Sequence, residues 1–169
     1  DKRQLLVLTE QGFSTDNWQT MAELGWLGVS VPEAHGGFGG NEIDTMILME
    51  AFGKGLVLEP FFASTVLGAK AIADGGNEAL KTEMLPGVVE GSRQLTLAYA
   101  EAQSRFDLED IITHAKSDGE DYVINGHKSM VLHAGSAQQI VVSTRTSGGQ
   151  ADKAGISLFL IDADAPGVE

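Results

Sequence analysis

The sequence predicts an α+β fold, in which a helical part over residues 1–91 precedes an incomplete antiparallel β-barrel or β-sandwich over residues 92–169. Two observations predict this. Before residue 92, apolar residues recur every three or four positions, the spacing of one helix face; after it, they recur at every second position, the spacing of one strand face. Asp118-Gly119 and Asn125-Gly126 lie between alternating runs and indicate hairpin turns.

Four helices are predicted in the first part, and three of them directly follow a residue that can cap the N-terminus of a helix. Ser14 or Thr15 begins the first helix, which ends at Gly25. Asn41 begins the second helix and Asn77 begins the fourth. Between them, residues 62–73 form a third helix candidate that is nearly free of charge and is therefore expected to be buried on several sides.

Two features interrupt this helical pattern. The glycine-rich residues 36–40 are expected to form a loop, and Pro86 is expected to kink or end the fourth helix after at most a short continuation. Six short strands are then predicted over residues 95–99, 112–116, 122–124, 129–132, 139–144 and 156–161. Short strands with turn residues between them are typical of antiparallel barrels and sandwiches.

Composition and charge exclude several classes of function. The 169 residues contain 11 basic and 24 acidic side chains, a net charge of −13, which argues against a nucleic-acid partner and against an anionic membrane surface. No apolar run is long enough to span a membrane. The absence of cysteine excludes disulfides, thiolate nucleophiles and cysteine-ligated zinc, and it is consistent with a cytoplasmic protein. Because the chain starts without Met and stops just after a strand, we expect a piece of a longer protein.

Three short patterns could suggest nucleotide binding or hydrolysis, but a structural loop is the favoured interpretation of each. Residues 36–40 lack the strand–turn–helix setting and the Lys-Ser/Thr ending of a phosphate loop. Residues 126–129 resemble the end of a Walker motif without its earlier glycine. Ser30 lies in a near match to a nucleophile elbow, with Pro32 where that motif requires glycine.

Histidines and carboxylates give no clear site either. The four histidines contain no helix-spaced pair, so no metal site is predicted. Asp107, Glu109 and Asp110 could be read as an acid/base group, but a solvated acidic loop is the favoured interpretation in so acidic a chain. The residues alone therefore identify no catalytic group.

Several segments, taken in order, resemble the acyl-CoA dehydrogenase family. Residues 24–40 are similar to its Leu-Gly-Trp-x-Gly…Pro-Glu-x-x-Gly-Gly-x-Gly signature. Residues 50–55 resemble its Glu-x-(apolar)-Gly-(basic) helix end, and residues 85–91 resemble the Leu-Pro-x-x-x-x-Gly that leads into its β-domain. Residues 122–128 resemble its Tyr-x-(apolar)-Asn-Gly-x-Lys hairpin. If the order of these segments is a coincidence, the alternative interpretation of the chain is a binding domain of helices and strands that is unrelated to flavin.

The resemblance implies a fold and a chemistry. It implies an N-terminal helical domain over residues 1–91 and part of a middle β-domain over residues 92–169. It also implies FAD as the cofactor, with a carboxylate base that takes the α-proton of an acyl-CoA while the β-hydrogen leaves as hydride to the flavin. In the family this base lies in a C-terminal helical domain outside this sequence, so no catalytic residue is assigned and the chain alone is expected to be inactive.

Further expectations concern partners and metabolism. The resemblance implies an acyl-CoA substrate, an electron-accepting flavoprotein, a role in fatty acid metabolism, and a homo- or hetero-oligomer, dimer or tetramer.

Two segments carry the flavin contacts implied by the resemblance. Residues 100–107 correspond to the family's Thr-Glu-Pro-x-x-Gly-Ser-Asp, of which only Glu101 and Asp107 match, and residues 128–132 correspond to its Lys-x-Trp-Ile-Thr. The candidate cofactor-binding residues are Leu97, Tyr99, Ala100, Arg105, Phe106, Met130 and Leu132.

Five of these candidates depart from the family pattern, and two of them, Arg105 and Phe106, replace the usual Gly-Ser pair. Ala100 replaces the usual Thr, Met130 the usual Trp and Leu132 a second Thr. For Met130 and Leu132 the alternative is an apolar strand face packed on the core. The departures resemble a subgroup that includes the pimeloyl-CoA dehydrogenase small subunit, in which two different chains pair. The alternative function is therefore a non-catalytic partner subunit that keeps the fold for assembly.

Overall fold

The structure is a computed structural model that describes residues 2–169. Asp1, where the predicted helical part begins, lies outside the described residues. Helices fill the first half and strands the second. The helical elements are α1 Lys2–Val7, α2 Thr15–Glu23, α3 Glu42–Gly55, a π-helix Phe62–Ala69 that continues directly into α4 Lys70–Gly75, and α5 Glu78–Val89. None of the described helices is long and apolar enough to cross a membrane.

The predicted helix starts are confirmed by side-chain caps. The Ser14 hydroxyl accepts a hydrogen bond from the backbone N–H of Asn17 at 3.2 Å, and Asn77 accepts one from the N–H of Leu80 at 2.9 Å. Asn41 forms a capping box with Asp44 at the start of α3. These contacts lie within one turn of chain, which is why the sequence alone identifies them.

The strands form one open, mixed sheet of five: β1 Leu95–Ala98, β2 His114–Asp118, β3 Asp121–Asn125, β4 Gln139–Arg145 and β5 Ile156–Asp162. The α+β fold class is confirmed. The hairpins β2–β3 and β4–β5 are antiparallel as predicted, but β1 runs parallel to β4, and β2 meets β4 in parallel at His114 and Arg145. A parallel pair needs a long crossover, and residues 99–138 provide one between β1 and β4.

One local prediction differs from the structure. The strand predicted over residues 129–132 is wrong: this stretch is irregular, because Met130 and His133 adopt left-handed backbone angles, φ 53° and φ 54°, that break an extended chain. The prediction for Pro86 agrees with the structure, because α5 continues only briefly beyond this residue and ends at Val89.

The apolar core is divided among three clusters. The largest joins the helices to one face of the sheet and contains Val31, Ala69, Ile72, Met84, Leu85, Val88, Leu95 and Val141. Close packing at this seam requires Gly68, because a Cβ there would lie 2.5 Å from the Cβ of Leu95. A second cluster, rich in aromatic residues, lies among the helices.

The opposite face of the sheet has a smaller core. It consists of the third cluster, Ala98, Ile140 and Val142, with Val131 of the irregular segment packed against it. The loop of residues 126–133 therefore lies over this face.

Candidate functional site

The two segments predicted to contact a cofactor meet at the C-terminal end of β1. The backbone N–H of Ser129 donates to the carbonyl of Ala100 at 2.8 Å. The hydroxyl of Thr96 donates to the carbonyl of Leu132 at 2.7 Å. Residues 97–101 and 128–132, which are about thirty positions apart in the sequence, are thus joined side by side.

The candidate residues differ in exposure. Leu97 is half-buried and packs against the helix–sheet core, and Ala100 is also half-buried. By contrast, the exposed fractions are 42% for Tyr99, 46% for Leu132 and 90% for Met130. The interpretation of Met130 and Leu132 as core residues is therefore wrong, since the left-handed turn directs this loop out of the sheet.

The remaining candidates, Arg105 and Phe106, lie in the loop after Glu101. Phe106 is 99% exposed, and Arg105 is exposed with a left-handed φ of 51°. Within residues 2–169, neither side chain makes a hydrogen bond or ion pair with the loop of residues 126–133. The structure therefore joins Tyr99 and Ala100 to the segment of Met130 and Leu132. The side chain of Leu97 packs on the opposite, helical face of the sheet, and Arg105 and Phe106 lie in the adjoining exposed loop.

A buried ion pair lies directly beneath the junction of the two segments. The ammonium of Lys128 is 2.8 Å from Oε1 of Glu101, and their side chains are 8% and 2% exposed. Lys128 also donates to the hydroxyl of Ser143 in β4 at 3.0 Å. The Glu101 carboxylate accepts three more hydrogen bonds, from the backbone N–H groups of Ile112 at 2.8 Å and Thr113 at 3.0 Å, and from the Gln103 amide at 2.8 Å.

This network sets the charge of both groups. Burial alone would raise the pKa of Glu101, but hydrogen bonds from Lys128, Thr113, Gln103 and Ile112 outweigh burial and lower the pKa from 4.5 to about 2. Burial lowers the pKa of Lys128, and the carboxylate of Glu101 opposes that shift. Glu101 is therefore ionised at neutral pH, with its two oxygens fully occupied by donors.

A second buried cation is Arg145, the last residue of β4, two positions after Ser143. The guanidinium of Arg145 donates to four backbone carbonyls: those of Asp152 at 2.9 Å, Ala154 at 2.7 Å, Glu109 at 2.7 Å and Gln150 at 2.9 Å. Its Nε is buried without a hydrogen-bond partner. Arg145 thus gathers the β4–β5 connection and the acidic loop around one side chain.

The other motifs have structural explanations. The backbone N–H groups of Phe38, Gly39 and Gly40 donate to carbonyls of residues 28–31, so they are not available to a phosphate. Asp107 accepts a hydrogen bond from the backbone N–H of Glu109 at 3.1 Å and is exposed, as expected for a solvated loop. The described residues contain no group of three or more His, Cys, Asp or Glu side chains arranged to hold a metal ion.

The surface of the junction combines exposed apolar side chains with backbone donors. Tyr99, Met130 and Leu132 expose apolar side chains, and the backbone N–H groups of Val131 and Leu132 donate to no other described residue. Together these groups can cover a ring and hydrogen-bond its edge. The side chains of Ala100, Met130 and Leu132 add no polar group, so specificity here rests on the backbone.

Sequence reasoning noted Glu101 and Lys128 only as matches to a family pattern. It did not identify them as partners, because they are separated by 27 positions and belong to different segments. The available signal is weak: an acidic residue directly after a buried strand, and a lysine directly after an Asn-Gly turn.

Comparisons with known proteins agree with this geometry. Residues 4–92 match the family profile described as "Acyl-CoA dehydrogenase, N-terminal domain", and residues 96–169 match "Acyl-CoA dehydrogenase, middle domain". The chain is 31% identical over 157 residues to acyl-CoA dehydrogenase FadE12 of Mycobacterium tuberculosis, a match that covers 91% of this chain and 40% of the relative.

Solved structures give the same result. A variant of the Tcur3481–Tcur3483 steroid acyl-CoA dehydrogenase has a TM-score of 0.86 at 33% identity, covering 98% of this chain and 44% of that chain. The ChsE4–ChsE5 complex from Mycobacterium tuberculosis has a TM-score of 0.83 at 27% identity, covering 98% and 42%. The chain thus spans less than half the length of these proteins, and it belongs to the acyl-CoA dehydrogenase family.

Proposed function

We propose that this chain supplies the flavin-facing wall of an FAD-dependent acyl-CoA dehydrogenase, which oxidises the α,β C–C bond of an acyl-CoA thioester. The observation that supports this proposal most directly is the junction at the end of β1. There, the hydrogen bond from Ser129 to Ala100 joins two segments that carry exposed apolar side chains and the free N–H groups of Val131 and Leu132. Family membership supports the same cofactor and reaction class.

In this proposal the chain's own residues bind and orient. The N–H groups of Val131 and Leu132 donate to acceptors on the edge of the ring. Tyr99, Met130 and Leu132 cover its apolar surface and exclude water from it. When bound, FAD supplies an electron sink for the hydride that leaves the acyl chain. Arg105 and Phe106 would border the ring from the adjoining loop, and Leu97 would support it from β1.

The helical part, residues 1–91, and the β-part, residues 92–169, would correspond to two domains of such an enzyme. We assign no general base to this chain. The 169-residue chain is accordingly proposed to bind flavin without turning over acyl-CoA. For the complete enzyme in the cytoplasm, we propose an electron-accepting flavoprotein as the oxidant of the reduced cofactor.

Titration of the purified chain with FAD tests the cofactor assignment. We expect saturable quenching of flavin fluorescence. Met130→Asp should weaken binding by about tenfold or more, because burying a methionine side chain contributes about 1.5–3 kcal/mol. Asp also tolerates the left-handed backbone of this position, so the loop itself should persist.

Met46→Asp is the matched control. Met46 is 58% exposed on α3 and lies outside the junction, so this variant should bind FAD like the unsubstituted chain. Absence of any saturable FAD binding, or equal weakening by both substitutions, would contradict the cofactor assignment.

A second candidate function is a non-catalytic partner subunit in a heteromeric acyl-CoA dehydrogenase. The observation that favours it is the lack of a hydroxyl or indole group at Ala100, Met130 and Leu132. One similar solved structure is itself described as a complex of two different chains. Purification from the native source separates the two functions. The partner-subunit function requires a second acyl-CoA dehydrogenase chain in the complex with no FAD on this chain, whereas bound FAD that an acyl-CoA reduces in a homo-oligomer would contradict it.

A further inference from the structure

We propose that Lys128 and Glu101 are positioning residues that hold the two ring-facing segments in register, so that the buried ion pair sets the affinity of the flavin site without touching the flavin. This inference rests on the proposed function. It concerns a pair that lies beneath the ring-facing surface, with side chains 8% and 2% exposed.

The pair connects four stretches that are distant in sequence. Glu101 follows the end of β1, and its carboxylate accepts hydrogen bonds from the backbone N–H groups of Ile112 and Thr113, which directly precede β2. Lys128 lies in the loop of residues 126–133 and reaches Ser143 in β4 at 3.0 Å. One ammonium and one carboxylate therefore fix the loop relative to three neighbouring parts of the sheet.

The loop needs this attachment because its backbone is not held by strand pairing. Met130 and His133 both adopt left-handed angles, which non-glycine residues disfavour and which persist only where surrounding contacts impose them. At its first half, the loop is fastened to β1 by the hydrogen bond from Ser129 to Ala100 and by the ion pair. At its far end, His133 packs edge-on against Phe13, with ring centroids 6.0 Å apart.

The register set by this attachment determines where the ring-facing groups lie. Met130, Val131 and Leu132 follow Lys128 by two to four residues, and Tyr99 and Ala100 directly precede Glu101. A shift of the loop along β1 would move the free N–H groups of Val131 and Leu132 away from the apolar surface of Tyr99. Flavin affinity should therefore depend on Lys128 although its ammonium is enclosed by protein.

Lys128→Met tests the inference in the full 169-residue chain. Glu101 keeps its three other donors in this variant, so the fold should survive. Leu85→Ala is the control for lost stability, because Leu85 is fully buried in the helix–sheet core and lies outside both segments. Both variants are measured below their unfolding midpoints, by FAD titration, by the absorption spectrum of the bound flavin, and by hydrogen exchange without flavin.

We expect Lys128→Met to raise the dissociation constant for FAD by about tenfold or more, as expected for losing a charge-assisted contact that fixes the site. Its bound flavin should show a broadened, water-like absorption band. Hydrogen exchange should accelerate at the N–H of Ser129, which binds the carbonyl of Ala100, and remain unchanged in β5. Leu85→Ala should leave the spectrum unchanged and the affinity within about threefold.

Three results would overturn the inference. In the first, Lys128→Met binds FAD as tightly as the unsubstituted chain and with the same spectrum. In the second, Leu85→Ala shifts affinity and spectrum equally. If Lys128→Met fails to fold, Lys128→Arg is measured instead, because it keeps the cation. The inference requires that this variant retain the spectrum of bound flavin. Loss of that spectrum in a folded Lys128→Arg chain is the third contrary result. Failure of the unsubstituted chain to bind FAD would instead refute the proposed function itself.

Discussion

The two buried cations of the β-part, Lys128 and Arg145, are compensated in different ways. Lys128 faces a carboxylate at 2.8 Å, whereas Arg145 faces four backbone carbonyls and no described carboxylate. An ion pair loses both its charge balance and its hydrogen bonds when one partner is removed. A guanidinium that contacts only backbone carbonyls has no charged partner, so removing one of its contacts costs a hydrogen bond and no charge balance. Lys128 therefore connects its segments through an ion pair, whereas Arg145 holds its loops through hydrogen bonds to backbone carbonyls.

The largest effect is expected from Glu101→Gln, because it leaves a buried ammonium without a counter-charge. Breaking a buried pair in this way costs about 3–5 kcal/mol of the free energy of unfolding. Ile112 and Thr113 donate to different oxygens of Glu101, so the NH₂ group of glutamine also meets one of these two N–H donors in either orientation of the amide. Urea denaturation monitored by circular dichroism measures the loss.

A double-mutant cycle makes the comparison with Arg145 sharper. Adding Lys128→Met to Glu101→Gln should cost less than the sum of the two single changes, because the ammonium is then gone. Adding Arg145→Lys should instead be closer to additive with Glu101→Gln, because the guanidinium hydrogen-bonds only carbonyls that the Glu101 side chain does not contact. Additivity in the first cycle would show that the ion pair contributes no coupling.

The pH dependence of the same variant gives the next largest effect. The pKa of Glu101 is about 2 in the folded chain and 4.5 as the unperturbed value, so its stabilisation is fully present above pH 4.5 and is lost as the pH falls toward 2. Such a shift corresponds to about 3 kcal/mol. The difference in unfolding free energy between the unsubstituted chain and Glu101→Gln should therefore shrink steadily below pH 4.5. A difference that is constant from pH 7 to pH 3 would contradict the lowered pKa.

Arg145→Lys should cost less, about 1–3 kcal/mol, because a lysine can reach only some of the four carbonyls and leaves the others unsatisfied. The damage should be local. Hydrogen exchange should accelerate in residues 146–155 and near Glu109, while FAD affinity stays within about twofold, since the junction is untouched. A large loss of FAD affinity would remove the distinction between the two cations.

Ser143→Ala should give the smallest effect, about 1 kcal/mol, because it removes one hydrogen bond from Lys128 and leaves the contact with Glu101 intact. Thermal unfolding of this variant, measured beside the unsubstituted chain, provides the check. A loss as large as that of Glu101→Gln would show that the hydroxyl of Ser143, and not the carboxylate, holds the ammonium.

Local features of the fold could be predicted from the sequence, and long-range features could not. The caps at Ser14, Asn41 and Asn77 bind N–H groups within three residues, so they are visible in a short window. The prediction of a strand over residues 129–132 is wrong, because the left-handed backbone angle of Met130 is imposed by contacts elsewhere in the fold. The parallel pairing of β1 with β4 joins residues 44 positions apart, such as Leu95 and Gln139, beyond the reach of hairpin signals.

The same division applies to the candidate site. Family resemblance selected both candidate cofactor-binding segments, since their motifs are contiguous in sequence. It did not reveal that Glu101 and Lys128 bind each other across 27 positions, nor that Arg145 reaches a carbonyl 36 positions away. A charged residue in a sequence carries no sign of its burial; only the packing of β1, β2 and β4 around it establishes that.

The position of β5 has a consequence for handling the chain. Among the described strands β5 pairs only with β4, so one row of its N–H and C=O groups faces outward, along a run, Ile156–Asp162, that contains no lysine or proline. Leu158 on this run is 51% exposed. An unprotected apolar edge is a template on which further strands add, including those of other copies. Protein concentration therefore has to be kept low and constant whenever variants of this chain are compared, because polymer growth at β5 would otherwise imitate a loss of folding stability.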